Sequence, residues 1–309
     1  MRVCIGFMLL VVATATHVSG QALNPEFVHG REYTFERMEA KRKVRDAEDK
    51  GTIRLVTYVY RPLKNDRREV VLFSHGSTAG LARSPKEPVG VVPPDPVIRF
   101  FVTRGYTLVV PSRRGRGEST GAYIEECSVY LGQCTNAESV KLGERAIREA
   151  LLDTEAVVEQ LILGRLVPRQ SKIIAGGISR GGFLSLLLAG ERPELVKGVV
   201  NFVGGFYGVT DRLTEAENKQ RMDDRFARLA RAAKRTRSPS VWVYAARDPF
   251  YREGVPRELF RSWQDAGGQG ELVFINEHSL SSGHMVATNA TLWERQVDAF
   301  LKAIDQARR

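Results

Sequence analysis

Short runs of apolar, often β-branched residues alternate along this chain with longer segments in which apolar residues recur every three or four positions. The first pattern is typical of buried strands, and the second of helices with one face turned toward a core. The segments 33–45 and 52–61 differ, because apolar and polar residues alternate one by one on either side of a polar turn. That alternation predicts an antiparallel hairpin at the start of the fold.

Beyond the hairpin the two patterns follow each other in a regular order. Strands are predicted at residues 69–73, 107–110, 173–175, 196–203, 241–245 and 271–275, and helices at residues 96–104, 137–163, 183–189, 223–234, 256–266 and 291–304. The proline-rich segment 84–96 is predicted to be a loop. Strands that alternate with helices favour a mostly parallel sheet covered by helices on both faces, and no repeat or linker divides the chain. We therefore predict one α/β domain.

The first twenty residues have a composition of their own. Arg2 precedes the apolar segment 5–13, and the small residues Val18 and Gly20 follow it at the spacing of a cleavage site. This order predicts a secretory signal peptide over residues 1–20, cleaved near Gly20, because the apolar segment is too short to span a bilayer. Residues 21–309 would then form the mature domain, in a periplasm or outside the cell. No other stretch predicts an integral membrane span.

The cysteines agree with export. Cys4 lies in the predicted signal peptide, which leaves Cys127 and Cys134 as a pair at the ends of an eight-residue segment. In an oxidising compartment such a pair favours a disulfide, which would stabilise the fold by about 2–3 kcal/mol. The same pair is a poor zinc site, since no histidine pair lies near it, and we expect no metal.

The net charge of +10 raises the question of an anionic partner. Basic residues concentrate in the segments 41–45 and 221–237, but acidic residues lie within or near both, and Phe226 is the only aromatic residue inside them. Surfaces that bind nucleic acid usually interleave aromatic residues with basic ones. We therefore interpret these segments as solvated faces and expect no nucleic-acid partner.

The chemistry of the chain centres on Ser179. Gly177-Ile178-Ser179-Arg180-Gly181 forms a G-x-S-x-G pentapeptide between a predicted strand and a predicted helix. A turn this tight holds the serine hydroxyl clear of the fold, with glycines where a Cβ would collide, so Ser179 is the candidate nucleophile. A second copy contains Ser119, but it follows a polar loop and leads into another, and we interpret Ser119 as a loop residue.

The partners of a nucleophilic serine are expected past the ends of later strands. Asp248 follows the strand at 241–245, and His284 follows the strand at 271–275. His284 would take the serine proton and return it to the leaving group, while Asp248 would orient the imidazole. Asp211 is an alternative acid and His278 an alternative base, although His278 lies close to its strand and has less reach.

The negative charge that develops on a substrate carbonyl oxygen also needs donors. The backbone N–H of Arg180 is one candidate, and that of Ser77 is the other, with Thr78 as its alternative. His75 is expected to brace this loop. Arg113 and Arg114 could either contact an acidic substrate or brace loops through ion pairs.

Taken together, these motifs resemble those of the α/β-hydrolase superfamily, within its dienelactone-hydrolase-like and prolyl-oligopeptidase-like branch. The segments that carry the resemblance are 74–77 (SHGS), 114–121 (RGRGESTG), 177–182 (GISRGG), 247–248 (RD) and 283–284 (GH). The resemblance implies the α/β-hydrolase fold and a catalytic triad of Ser179, Asp248 and His284. Dienelactone hydrolase itself uses a cysteine where this chain has Ser179, which argues against that particular lactone chemistry.

The sequence therefore predicts an exported serine hydrolase that cleaves carboxylic esters through an acyl-enzyme and needs no cofactor. Its substrate would be a small ester or a peptide-like molecule. A small peptidase or amidase with the same triad is an alternative, and so is a non-catalytic binding protein that kept the fold.

Overall fold

The computed structural model describes residues 33–45, 49–77, 91–125, 135–168, 171–205, 214–251 and 254–307. Eight strands form one sheet. They are β1 (Tyr33–Arg45), β2 (Lys50–Pro62), β3 (Glu69–Ser74), β4 (Tyr106–Pro111), β5 (Ile173–Ile178), β6 (Val196–Phe202), β7 (Ser240–Ala245) and β8 (Gly270–Ile275). The signal peptide predicted over residues 1–20 and the cysteines Cys127 and Cys134 lie outside the described residues.

The sheet is mostly parallel. Its strand order is β1-β2-β4-β3-β5-β6-β7-β8. The β1–β2 hairpin and the β2–β4 pair are antiparallel, whereas every pairing from β4 through β8 is parallel. The carboxyl ends of β3 through β8 therefore meet at one edge of the sheet, which is where open α/β sheets bind ligands. The predicted fold class, with its N-terminal hairpin, is confirmed.

Within the described residues, six α-helices connect and cover these strands. They are α1 (Asp95–Thr103), α2 (Asn136–Leu163), α3 (Arg180–Glu191), α4 (Glu215–Arg235), α5 (Gly254–Asp265) and α6 (Glu294–Gln306). Every residue of β4, β6 and β7 is buried, as expected for strands covered on both faces. None of the helices in the described ranges combines the length and apolar character needed to cross a bilayer.

The largest difference from the predicted helix starts is at α4. Helix α4 starts at Glu215, eight residues before the predicted start at residue 223, because Thr214 and Glu217 form a capping box that satisfies the first N–H groups. The first turns of α4 are polar, so the apolar pattern did not detect them. Helix α6 starts at Glu294, after two short 3₁₀ turns over Gly283–Thr288 and Ala290–Leu292, rather than at residue 291.

The basic segment on α4 is paired with acids from neighbouring helices. Arg228 contacts Glu144 at 2.7 Å, and Arg235 contacts Glu191 at 3.1 Å. These are surface ion pairs, which contribute little to stability and leave the basic side of α4 in contact with solvent.

Helix α3 crosses α4 at Gly190. A Cβ placed on Gly190 would lie 2.5 Å from the Cα of Ala232, which is backbone and cannot rotate away. We predict that Gly190→Ala lowers the free energy of unfolding by about 1–3 kcal/mol through overpacking, as measured by urea denaturation. Gly143→Ala on α2 is the control, since a Cβ there meets nothing within 4 Å and should stabilise by about 0.5–1 kcal/mol. Equal effects of the two substitutions would contradict the close crossing.

Candidate active site

The turn from β5 into α3 holds Ser179 in an unfavourable backbone conformation. Its φ of 55° and ψ of −125° lie outside the regions that L-residues ordinarily occupy. The glycines on either side are required, because a Cβ on Gly177 would overlap the carbonyl group of Gly181, and one on Gly181 would overlap the carbonyl of Ser74. The expected geometry of the pentapeptide is present, with Ser179 directly before the first residue of α3.

The loop that follows β3 passes beside this turn. A Cβ on Gly76 would lie 3.4 Å from the Cβ of Ser179, so the backbone of the loop is in van der Waals range of the serine. Ser77, the predicted second oxyanion donor, is the next residue, and the alternative Thr78 lies outside the described residues. Both predicted donors, Ser77 and Arg180, are thus within two residues of this contact.

Asp248 and His284 come together although they are far apart in sequence. Oδ2 of Asp248 lies 2.9 Å from Nδ1 of His284, and Oδ1 accepts a 2.8 Å hydrogen bond from the backbone N–H of Phe250. The carboxylate therefore places the ring proton on Nδ1 and leaves Nε2 as the acceptor. Gly283 lets the His284 loop cross the end of β7 closely, since a Cβ there would overlap the carbonyls of Ala245 and Ala246.

His278 occupies a different position. Its Nε2 lies 2.8 Å from the carbonyl oxygen of Ala246, and its Nδ1 lies 3.1 Å from a guanidinium nitrogen of Arg247. Both ring nitrogens are engaged, and Arg247 also donates to the carbonyls of His278 and Leu280. His278 thus braces the loop that leads to His284. Asp211, the alternative acid, lies outside the described residues.

Ser179 and His284 share no hydrogen bond in the described part of the chain. Such a contact often closes only when substrate binds. Aromatic rings define the surroundings of the imidazole: the Phe250 ring lies 4.5 Å from it, edge to face, and the Tyr251 ring lies 6.0 Å away. Phe250 and Met285 are among the few large apolar side chains that are exposed. No pattern in the sequence predicted this apolar surface beside His284.

His75 is buried and neutral. Its Nδ1–H donates to the carbonyl of Gly76 at 2.8 Å, and its Nε2 accepts the backbone N–H of Arg113 at 3.2 Å. Burial, reinforced by the nearby Arg113 charge, lowers the pKa of the His75 imidazole to about 3. His75 is therefore a hydrogen-bonding brace of the loop after β3.

Arg113 forms a buried ion pair with Glu125, contacting both carboxylate oxygens. Glu125 also lies 3.8 Å from the guanidinium of Arg180. Burial alone would raise the pKa of the Glu125 carboxyl, but the charges of Arg113 and Arg180 outweigh it and hold the pKa at about 2. Glu125 was not a candidate in the sequence, where it is one of two adjacent glutamates in a loop and nothing links it to either arginine.

Arg114 braces a separate group of elements. It donates to Glu149 and Asp153 on α2 at 3.0 Å and 2.8 Å, and Arg42 on β1 contacts the same two acids. Arg113 and Arg114 both form loop-bracing ion pairs, which is one of the two roles that the sequence left open for them.

Ser119 binds the hairpin. Its Oγ accepts the backbone N–H of Val56 at 2.8 Å and donates to the carbonyl of Ser112 at 2.7 Å. Ser112 and Thr120 in turn donate their backbone N–H groups to the carbonyls of Val56 and Arg54. The segment 112–120 therefore continues the hydrogen bonding of β2 beyond the end of β4. Ser119 lies in a loop, as its position between two polar loops predicted.

Solved structures share this fold. An esterase of Pyrococcus furiosus, Pf2001, is similar to the chain with a TM-score of 0.57 and 17% identity, over 87% of this chain and 90% of the esterase. An acylaminoacyl peptidase of Pyrococcus horikoshii is similar with a TM-score of 0.56 and 13% identity, over 91% of this chain and 42% of the peptidase. A Klebsiella pneumoniae protein provisionally named a dienelactone hydrolase has a TM-score of 0.50 and 14% identity, over 86% of this chain and 98% of its own.

These structures all belong to the α/β-hydrolase superfamily, and the chain has the α/β-hydrolase fold. No protein-family model matches the sequence, and no curated protein matches it significantly. At 13–17% identity this likeness shows the fold alone, and the chemistry depends on the residues of the site.

The backbone strain at Ser179 can be measured by comparing two substitutions that both remove the hydroxyl. We predict that Ser179→Gly is more stable than Ser179→Ala by about 1 kcal/mol, because glycine relieves a strain of about 1–3 kcal/mol but has a more flexible unfolded state. Urea denaturation of the two variants gives the difference. An alanine variant as stable as the glycine variant would argue against strain at this turn.

The buried His75 gives stability a pH dependence. The pKa of the imidazole is about 6.5 in the unfolded chain and about 3 in the folded protein. The unfolded state therefore binds more protons than the folded state between these two pH values. We predict that the free energy of unfolding falls as pH decreases below about 6.5, and that His75→Gln reduces the slope by up to about 1.4 kcal/mol per pH unit. Denaturation at pH 7, 6 and 5 measures the slope, with pH 7–9 as the control range. An unchanged slope in the variant would contradict a neutral His75.

Proposed function

We propose that this chain is a serine hydrolase that cleaves carboxylic esters through an acyl-enzyme on Ser179. The observation that carries the proposal is the 2.9 Å hydrogen bond between Asp248 and His284, at the sheet edge where the strained turn presents Ser179. An imidazole whose Nδ1–H is held by a buried carboxylate has its Nε2 available as a base, which a serine nucleophile requires.

The proposed reaction has two halves. Nε2 of His284 takes the proton of Ser179 as its Oγ attacks the ester carbonyl, and the imidazolium then protonates the leaving alcohol. Water, activated by the same imidazole, attacks the acyl-enzyme and releases the acid and the serine. Asp248 stabilises the imidazolium in both halves, and the backbone N–H groups of Ser77 and Arg180 bind the oxyanion.

Esters are the preferred substrate class. The exposed Phe250 and Met285 offer an apolar surface near His284, which suits an uncharged acyl or alcohol group. The fold shared with acylaminoacyl peptidases makes a peptidase or amidase the second candidate. A panel of nitrophenyl esters of increasing chain length beside aminoacyl amides separates the two, and turnover of the amides alone would favour the peptidase.

Export belongs to the same proposal. The segment 1–20 would be removed near Gly20, and Cys127 and Cys134 would form a disulfide in an oxidising compartment. N-terminal sequencing of the protein from a native host and mass measurement before and after reduction test both points.

The nucleophile is tested by Ser179→Ala. We predict a burst of nitrophenol from wild-type protein, covalent labelling by a fluorophosphonate probe, and loss of both in the variant, because both reactions need the proposed nucleophile Ser179. Circular dichroism checks that the variant is folded. Turnover that survives in folded Ser179→Ala would exclude the mechanism, and a wild type that neither turns over nor labels would favour a binding protein.

The base is tested by a matched pair of histidine variants. We predict that His284→Gln lowers kcat/KM by at least about 10³-fold, since triad members act as a unit. His278→Gln should change it by less than about 30-fold, because it loses at most two loop hydrogen bonds worth about 1 kcal/mol each. Steady-state kinetics on a nitrophenyl ester measures both, and the reverse order would make His278 the base.

A further inference from the structure

Arg113 forms hydrogen bonds with the backbone of the loop that carries the predicted oxyanion donor Ser77. The guanidinium of Arg113 donates to the carbonyl oxygen of His75 at 2.6 Å and to that of Gly76 at 2.7 Å. The His75 ring donates to the same Gly76 carbonyl at 2.8 Å. Two consecutive peptide groups are therefore fixed by side chains rather than by a neighbouring strand.

These contacts set the direction of the Ser77 N–H. The carbonyl of Gly76 and the N–H of Ser77 belong to one peptide group, and in a planar trans peptide they point in opposite directions. Because Arg113 and His75 fix the carbonyl on one side, the N–H is aimed to the other. If this peptide group could rotate freely, the Ser77 N–H would not keep one direction. An oxyanion donor is effective only when its N–H is aligned before the reaction.

Glu125 connects this arginine to the second donor segment. Its carboxylate contacts Arg113 with both oxygens and lies 3.8 Å from the guanidinium of Arg180, the residue that follows the nucleophile. All three side chains are buried. One carboxylate thus bridges the arginine that fixes the Gly76–Ser77 peptide and the arginine at the first position of α3.

We propose that Glu125 is a positioning residue that aligns the two halves of the oxyanion hole through Arg113 and Arg180. This inference rests on the proposed function and adds a residue to it. Glu125 contacts no reacting atom, so its effect is on the alignment of the Ser77 and Arg180 N–H groups. The negative charge is essential to this role, because a neutral side chain would remove the carboxylate that neutralises the buried guanidinium of Arg113.

The chain offers a matched control in Glu149. This buried carboxylate also bridges two arginines, Arg42 and Arg114, at 2.8 Å and 3.0 Å. Its partners link β1, α2 and the loop after β4, and neither contacts the loop after β3 or the start of α3 in the described residues. Glu149→Gln therefore reproduces the loss of a buried ion pair without disturbing either donor segment.

The experiment compares Glu125→Gln with Glu149→Gln in the full chain, using a nitrophenyl ester and an aryl trifluoromethyl ketone, whose adduct with serine carries an oxyanion. We expect Glu125→Gln to lower kcat about 10- to 100-fold, with KM changed less than about threefold. This loss is smaller than the loss of about 10²–10³-fold in kcat that follows removal of an oxyanion donor, because both N–H groups are still present. The affinity for the ketone should fall by the same factor. Glu149→Gln should lower the urea midpoint but leave kcat and ketone affinity within about twofold of wild type.

A second variant covers the case in which Glu125→Gln does not fold. Arg113→Lys keeps a positive charge beside Glu125 but cannot reach two carbonyls with one planar group, so it should show the same joint loss of kcat and ketone affinity. Equal kinetic effects of the Glu125 and Glu149 variants, or a loss of kcat with unchanged ketone affinity, would overturn the inference. Turnover that survives Ser179→Ala would instead overturn the proposed function, so the two failures are distinguishable.

Discussion

The whole site depends on how closely the backbone of β3 and its loop can approach the turn between β5 and α3. The approach is possible because Gly177 and Gly181 have no side chains where the turn folds onto itself and onto the carbonyl of Ser74. The consequence is the strained backbone of Ser179, which the surrounding sheet and helix must sustain. Residues that follow the neighbouring strands β3 and β5 thereby lie within van der Waals range of each other.

Buried charge is the second organising force. In the loop after β3, the carbonyls of His75 and Gly76 accept hydrogen bonds from Arg113, and Glu125 neutralises that arginine in turn. Arg113 and Arg114 are adjacent in sequence but serve different clusters, one directed to the loop after β3 and the other to α2 and β1. Buried pairs of this kind contribute less to net stability than to a single defined arrangement, which is what a site requires.

The sequence predicted the features that are encoded locally. Apolar runs located all eight strands, and the order of Ser179, Asp248 and His284 along the chain followed from their positions after strands. The start of α4 was missed because its first turns are polar and are defined by the cap of Thr214 and Glu217. The contacts of Glu125 with Arg113 and of Phe250 with His284 could not be predicted, because they join loops that are far apart in sequence and no local pattern indicates such contacts. The choice of His284 over His278 as the base rested on reach and stays a prediction. Nδ1 of His284 lies 2.9 Å from Asp248, whereas Nε2 of His278 lies 2.8 Å from the carbonyl oxygen of Ala246.

The hairpin at the start of the fold has a role that its position at the sheet edge conceals. Through Arg54 and Val56 it extends the hydrogen bonding of the sheet to the segment 112–120, which also carries Arg113. The hairpin is therefore part of the scaffold of the loop that grips Gly76. A shortened version of this protein that begins just before β3 would lack the backbone partners of the segment 112–120. The loop after β3, which Arg113 holds, would lose its support as a result.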